Sequence, residues 1–407
     1  MDLHRHTHFS QYDGFDNSYN LAQLAKELGH TALGISDHGN TNGLVQHYLG
    51  CKEAGIKPVL GVEGYFIPVY KEQHRGYHLC LFAKNPTGYH NLNVLQYEGE
   101  KQKYYNPIWT FSLLEQYHEG LICTSACVAS YSSQCIKENR LDKAEKYYKK
   151  MLDIFGEDFY IEIQPYKISE KGLQEKVNIE NIELADKLGI KCILTSDSHR
   201  GRKEDFPTYL KMHEMAGHDL DHIEDTYKDR YMPSDDEMVQ RFTEMHRNDF
   251  RGIKERSKGM IAALKEIEDK VDEDIFKDFK EILPVFSTNS IKKLQSDIQS
   301  GLQKRNKWKP EYIQRVKEEF KVIKQLGFAD YFLIVADYVN WAKSNGIAVG
   351  PGRGSACNCL VAYALGITEV DSLLFGLDFR RFLRLDKTKL PKLYWAFLVN
   401  HVHGCVA

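Results

Sequence analysis

Seven short apolar runs divide the first 200 residues: "MDLHRH", "TALGIS", "KPVLGVE", "YHLCLFA", "GLICTSA", "DFYIEI" and "IKCILTS". Between several of them lie stretches such as "NSYNLAQLAKELGH" and "LQEKVNIENIELADKLG", with Leu and Ile at three- and four-residue spacing. That alternation predicts successive strand and helix units. Strands joined by helix-length connections pair in parallel, so the order predicts a parallel α/β barrel or sheet.

The groups able to bind metal sit at the ends of these runs. His4 and His6 are two apart on an extended segment, which puts both rings on one face, and Asp13 follows just beyond. Asp37 and His38 close "TALGISDHGN", Glu63 lies in "KPVLGVEGYF", His78 in "GYHLCLFA", Cys127 in "LICTSACVAS", and Asp197 and His199 in "CILTSDSHR". In a parallel α/β barrel the loops after the strands converge on one face, so residues distant in the chain can meet there. Imidazole, carboxylate and a thiolate suit zinc, manganese or iron better than magnesium or calcium, which favour oxygen alone. The donors exceed the needs of one ion, which predicts two or three divalent metals and metal-assisted hydrolysis of a phosphate ester. A metal that only holds the fold together is the competing reading. A lone histidine is more often a hydrogen-bonded surface or core residue, and His8, His30, His47, His74 and His90 are read that way. Cys123 alternates with apolar neighbours and is read as core.

Composition removes other classes. At 407 residues, 42% hydrophobic and 27% charged, the chain can bury a substantial core and is expected to form two or three units. No apolar run approaches the roughly 20 residues a membrane span requires, and the polar start lacks the apolar segment of a signal peptide. A cytoplasmic protein without membrane contact is expected. The nine cysteines follow no small-disulfide pattern and are read as reduced thiols. A net charge of −3 leaves a nucleic-acid partner open, because a local basic surface can coexist with an acidic remainder.

Beyond residue 215 the pattern changes. "GHDLDHIEDTYKDRYMPSDDEMVQRF" and "KEIEDKVDEDIFKDFKE" are polar and helical in pattern, and "LPVFSTNS" supplies a helix start at a boundary. A second unit then runs through "DYFLIVADYVNWAKSNGIAVGPGRGSACNCLVAYALGI", with a glycine-rich turn expected between an apolar strand and an apolar helix. In that turn Gly350, Gly352 and Gly354 allow close backbone approach to an anion, Arg353 supplies charge and Ser355 a hydroxyl donor. A plain tight turn is the alternative.

"DLHRHTHFS", "GISDHGN", "GVEGYF", "SACVAS" and "TSDSHR" resemble the metal motifs of the PHP (polymerase and histidinol phosphatase) domain. "GYHLCLFAKNPTGYHNL", "FGEDFYIEIQ" and "GFADYFLIVADYVNWAKSNGIAVGPGRGSACNCLVAYALGITEVDSL" resemble, in the same order, the amino-terminal part of the bacterial replicative C-family polymerases of the polymerase III alpha type, up to about Pro391. The resemblance implies an α/β fold: a distorted (β/α)7 PHP barrel over 1–215, a helical extension over 216–285, the amino-terminal part of the polymerase palm over 286–391 and a divergent tail over 392–407. It implies PHP metal ligands at His4, His6, Asp13, His38, Glu63, His78, Cys127, Asp197 and His199, with Asp13, Asp197 and His199 expected to carry catalysis. Family members that keep this set are linked to 3′–5′ exonuclease proofreading of DNA.

The resemblance also implies that Arg353, Gly354 and Ser355 contact the triphosphate of an incoming deoxynucleotide, while Cys357 and Cys359 replace small packing residues. The family continues with a "PDIDxDF"-like strand whose aspartates bind magnesium, whereas here "RLDKTKLP" leads into "KLYWAFLVNHVHGCVA". Asp371, Asp378 and Asp386 do not sit in that motif. Magnesium-dependent polymerisation is therefore expected only if another chain completes the palm. Three functions follow: a replication protein whose PHP domain hydrolyses DNA, one part of a split DNA-directed DNA polymerase, or a non-catalytic metal-stabilised scaffold. The partners implied are DNA, deoxynucleoside triphosphate where the palm is completed, the remainder of the polymerase and other replisome subunits.

Overall fold

The computed structural model describes residues 1–69, 75–276 and 284–386. His74, the expected tail 392–407 and the close of "RLDKTKLP" lie outside the described residues. The chain divides into two compact units, 1–278 and 279–407. Among the described residues no helix is long and apolar enough to cross a membrane.

The first unit is a curled seven-stranded sheet: β1 (Ala32–His38), β2 (Lys57–Ile67), β3 (Tyr77–Ala83), β4 (Ile108–Thr110), β5 (Leu121–Thr124), β6 (Phe159–Ile163) and β7 (Lys191–Leu194). The strand order is β1-β2-β3-β5-β6-β7, with β4 paired to β2. All but the last residue of β1, and all of β6, are buried, as expected for a sheet covered on both faces. Helices Ser18–Glu27, Leu44–Ala54, Pro86–Lys101, Leu141–Phe155 and Leu173–Leu188 connect the strands. Their starts follow local chemistry: Asn17 accepts from the Asn20 N–H, and Asn85 accepts from the Gly88 N–H ahead of a proline-led first turn.

The sheet is mixed, which corrects the all-parallel expectation. β3 runs antiparallel to both β2 and β5. Only residues 68–76 lie between β2 and β3, fewer than the dozen or more that a parallel crossover needs. The expected first strand, "MDLHRH", makes single bridges only, Asp2 to Leu33 and Arg5 to Ser198. The Gly34 N–H donates to the Asp2 carbonyl at 2.8 Å, and on the other side the His6 N–H donates to the Ser198 carbonyl at 2.9 Å. This extended segment therefore lies between β1 and the residues after β7 and closes the curve of the sheet.

Helix Ile253–Lys270, in the polar region, buries Met260, Ala263, Leu264 and Ile267. The last three pack with Met1, Leu3, Ala32, Val59 and Ile193 into a cluster under the barrel. A helix that is mostly polar in sequence thus covers an apolar end of the sheet with one stripe.

His47 lies against a neighbouring core that holds Leu33 and Cys51. It is fully buried, its Nε2 lies 2.9 Å from the Leu33 carbonyl, and burial, with Arg5 nearby, pushes its ring down to about 4. Below the unfolded value near 6.5 the unfolded chain binds a proton that the folded chain refuses. Its contribution is complete above pH 6.5 and lost as pH falls towards 4, a loss of roughly 3 kcal/mol. His47→Gln, which keeps a donor for Leu33, is expected to flatten the decline of the urea midpoint between pH 6.5 and 4.

The second unit is helical over its described part. Helices Ser290–Lys304, Pro310–Gln325 and Ala329–Ser344 and the short helix Leu360–Ala364 pack around Leu294, Ile298, Ile323, Phe332, Val339 and Val361. The apolar strand expected before the glycine-rich turn is not formed. "DYFLIVADYVNWAKS" is helix, and its buried residues Phe332, Leu333, Val335, Ala336, Val339 and Ala342 fall at three- and four-residue spacing. A largely apolar run carries little contrast between faces, so period alone does not separate buried helix from strand.

Candidate metal centre

The β1–β2 register pairs His38 with Glu63, and the β2–β3 register pairs Tyr65 with His78. The closing segment adds His4 and His6, the loop after it adds Asp13, and the turn after β7 adds Asp197 and His199. Asp37, beside His38, holds that loop: its carboxylate accepts from the Thr7 N–H at 2.7 Å and from the Thr7 and Ser10 hydroxyls at 2.8 Å each. Asp197 sits at φ +47°, a left-handed conformation uncommon for a residue with a side chain and typical of a strained functional turn.

These donors meet. Glu63 Oε1 lies 2.9 Å from His78 Nδ1 and 3.2 Å from His4 Nε2; its Oε2 lies 2.8 Å from His38 Nδ1 and 3.7 Å from His6 Nε2. Asp197 Oδ1 stands 3.3 Å from both His4 Nε2 and His6 Nε2. Asp13 Oδ2 is 2.8 Å from His38 Nε2 and 3.4 Å from His199 Nε2. The His6 ring stacks on His38 with centroids 4.1 Å apart and lies 4.3 Å from His199. Cys127 Sγ is at the edge, 3.4 Å from His78 Nδ1 and 3.6 Å from Glu63 Oε1. Nine residues read from the sequence as metal donors, His4, His6, Asp13, His38, Glu63, His78, Cys127, Asp197 and His199, therefore lie in one cluster, whereas Asp37 is taken up by Thr7 and Ser10.

The electrostatics are those of a tight mixture of opposite charges. Burial alone would raise Asp13, but the His199 and His38 imidazoles hold it well below the usual carboxylate range. Glu63 is likewise held down against burial by His78, His4 and His38. Burial and the neighbouring rings of His38 and His199 push His6 well below its ordinary value. Burial opposes charge on His4 too, yet Cys80 and the carboxylates of Glu162, Asp197 and Glu63 lift it well above.

The donor set fits divalent cations. His6 Nε2, His38 Nδ1 and Glu63 Oε2 are buried and make no hydrogen bond, although the last two are 2.8 Å apart. Buried polar atoms without partners are costly, and acceptor atoms converging on a common point are what a cation satisfies. His6, His38 and His199, then His4, His6 and Asp197, then His38, Glu63 and His78 each bring three ligand atoms within 4.8 Å of one another. Three adjoining triads that share histidines suit a cluster of ions better than a single one.

Other residues at the centre carry no metal-ligand signal in the sequence. Arg230 Nη1 donates to Asp197 Oδ2 at 2.7 Å, and the Tyr166 hydroxyl donates to the same oxygen at 3.0 Å. Glu162 lies 2.7 Å from His4 Nδ1. Glu162 could have been found from the alternation of "FYIEI", which sends it to the face opposite Ile161 and Ile163; Arg230, in an irregular polar stretch, could not. His8 and His90 are exposed, and His30 is tied to the Pro233 carbonyl at 2.9 Å, so none of these joins the cluster.

In the second unit the glycine-rich turn is open to solvent at Arg353, Gly354 and Ser355. Gly352 has φ +152°, and a Cβ there would come within 2.7 Å of Cys357 Sγ; Gly354 has φ +59°. Cys359 is buried, with its thiol donating to Glu319 Oε2 at 3.3 Å. Asp371 accepts from the Tyr312 hydroxyl at 2.8 Å and pairs with Lys307, while Asp378 pairs with Arg380.

Residues 2–166 match the PHP domain family, and residues 292–394 match the bacterial DNA polymerase III alpha NTPase domain. The DNA polymerase III subunit alpha of Aquifex aeolicus is 37% identical over 97% of this chain and 36% of its own length. That of Thermus aquaticus is 32% identical over 96% of this chain and 37% of its own length. The chain thus spans about a third of the length of these curated relatives. Among solved structures, a two-domain Bacteroides vulgatus protein described as containing a predicted PHP-like metal-dependent phosphoesterase is 14% identical, with a TM-score of 0.29, over 60% of this chain and 68% of that one. With both domains matched in order and similarity running over nearly all of its residues, the chain corresponds to the amino-terminal part of the bacterial DNA polymerase III alpha subunits, a PHP domain followed by a polymerase segment.

Proposed function

We propose that the first unit is a metal-dependent phosphodiesterase that trims DNA from the 3′ end, a 3′–5′ exonuclease. The observation that carries this reading is the set of buried ligand atoms on His6, His38 and Glu63 that face one another without a hydrogen bond, next to an open cleft of about 970 Å³. The cleft shares Asp13 and His38 with the cluster and is lined by Phe9, Tyr12, Tyr65 and Tyr227. Aromatic faces stack on unpaired bases whatever their sequence, which suits a proofreading activity on frayed ends.

His4, His6, Asp13, His38, Glu63, His78, Cys127, Asp197 and His199 would hold two or three divalent ions, zinc, manganese or iron. Such ions supply positive charge against the phosphodiester and a nucleophilic water at neutral pH. The chain's own groups do the rest. Asp13, at the mouth and paired with His38 and His199, would accept a hydrogen bond from the attacking water and orient it. His199, its Nδ1 held 2.8 Å from the Asp197 carbonyl, presents Nε2 to the same place. Asp197 orients His4 and His6 and keeps Arg230 at the centre's edge.

This reading has the chain working on DNA in the cytoplasm among replisome subunits. The match of residues 292–394 favours a second role as part of a polymerase. There Arg353, Gly354 and Ser355 would meet a deoxynucleoside triphosphate, with magnesium held by the aspartates of the family's polymerase strand.

The test uses the purified chain, assayed for bound metal and incubated with 5′-labelled single-stranded and mismatched-primer DNA plus manganese or zinc. The expected result is a ladder shortening from the 3′ end that is lost in His6→Ala. A protein that holds metal yet cleaves neither substrate would overturn the exonuclease in favour of a structural metal site. Primer extension by this chain alone is expected to fail.

A further inference from the structure

The inward face of β6 and of the residues that follow it carries Glu162, Gln164 and Tyr166, two apart and none of them among the candidate ligands. Glu162 is fully buried, and its Oε2 lies 2.7 Å from His4 Nδ1. The Thr195 hydroxyl donates to that same oxygen at 2.6 Å and the Gln164 amide at 3.0 Å; the Thr124 hydroxyl donates to Oε1. The Tyr166 hydroxyl in turn lies 2.6 Å from Gln164 Oε1 and 3.0 Å from Asp197 Oδ2, its one proton shared between these two acceptors. A chain of hydrogen bonds therefore runs from Asp197 through Tyr166 and Gln164 to Glu162 and fixes the carboxylate against rotation. On the far side of the His4 ring, Nε2 faces Glu63 and Asp197 at 3.2 and 3.3 Å.

We infer that Glu162 is a positioning residue that holds the proton of His4 on Nδ1, so that the Nε2 lone pair points into the metal centre. The inference rests on His4 being a metal ligand, the reading proposed above. An imidazole has one nitrogen to spare, and the acceptor it finds there sets both tautomer and ring angle. His4, Cys80 and Glu162 are themselves close enough to resemble a separate cation site. The saturation of Glu162 by three protein donors besides His4 argues that it serves as an acceptor of hydrogen bonds and not as a ligand. Gln164 and Tyr166 extend the same role, tying the orientation of His4 to that of Asp197, so that two candidate ligands 193 positions apart in the chain share one scaffold.

The experiment compares the full chain with Glu162→Met, which keeps the volume but removes the acceptor, and Glu162→Gln, which keeps an acceptor oxygen. Zinc affinity is measured by competition with a chromophoric chelator, cobalt is used as a spectroscopic substitute, and the His4 ring nitrogens are observed by NMR in the zinc-loaded protein. Glu162→Met is expected to bind zinc about 10–100-fold more weakly and to show an altered cobalt spectrum, with most of the affinity returned in Glu162→Gln. Unchanged affinity in Glu162→Met, or an equal loss in both variants, would overturn the inference. Should Glu162→Met fail to fold, the wild-type protein decides: a proton on Nδ1 of zinc-bound His4 supports the inference and one on Nε2 overturns it. No DNA enters these measurements. A failed nuclease assay would leave the inference standing, and a failed affinity test would leave the nuclease reading standing.

Discussion

Asp197→Asn is expected to lose nuclease activity by a factor on the order of 10²–10³ and, unlike His6→Ala, to lose much of the stability of the first unit as well. The two oxygens of Asp197 have separate duties. Oδ1 faces His4 and His6 at 3.3 Å each, towards the centre, while Oδ2 accepts from Arg230 at 2.7 Å. Arg230 is buried, its guanidinium lies over the rings of Tyr166 and Tyr227, and its Nε makes no hydrogen bond. An amide at position 197 leaves that cation buried without a counter-charge. Breaking a buried ion pair from one side costs about 3–5 kcal/mol. For a unit of this size that is a fall of roughly 10 °C in the thermal midpoint, read by calorimetry. His6→Ala removes a ring whose Nε2 has no hydrogen-bond partner. It should abolish cleavage at a smaller cost in stability, and the contrast between the two variants separates the chemical duty of the centre from its structural one.

Glu63→Gln is expected to empty much of the centre while leaving the fold in place. One carboxylate here faces four imidazoles, those of His4, His6, His38 and His78, at 2.8 to 3.7 Å. The substitution turns one of its oxygens into an amide donor with no lone pair for a cation. Divalent-metal affinity should fall by about 100-fold or more, exceeding the loss from an outer hydrogen-bond partner. Metal content after dialysis reads this directly. Stability gives an independent measure, because a ligand bound only by the folded state stabilises it in proportion to the logarithm of its affinity. A 100-fold weaker site forfeits about 2.7 kcal/mol of the stabilisation that added metal gives the wild type. Without added metal the two proteins should unfold within a much narrower range of each other.

The donors were legible from one dimension because strand geometry is simple. Two residues apart on an extended chain share a face, so His4 and His6 could be read as a pair, and the loops after barrel strands gather at one mouth; Asp197 and His199 were legible by donor type and position only, since Asp197 lies in a left-handed turn. The helix Ala329–Ser344 and the reversed β3 were not legible in the same way. The first is apolar on too many sides to show its period, and the second depends on a connection too short to cross over.

What the sequence by itself determined, then, is which side chains could bind metal; it expected them at strand ends, whereas β2 runs on past Glu63 to Ile67 and His78 stands near the start of β3. Only the tertiary structure decided how they are held. Glu162 under His4, Asp37 under the loop of Asp13, and Arg230 against Asp197 are joined to their partners across 158, 27 to 30 and 33 positions of chain. No local pattern encodes such pairs. They arise because a closed, buried sheet leaves no water for its polar groups, so each must find its partner in whatever part of the chain the fold brings near.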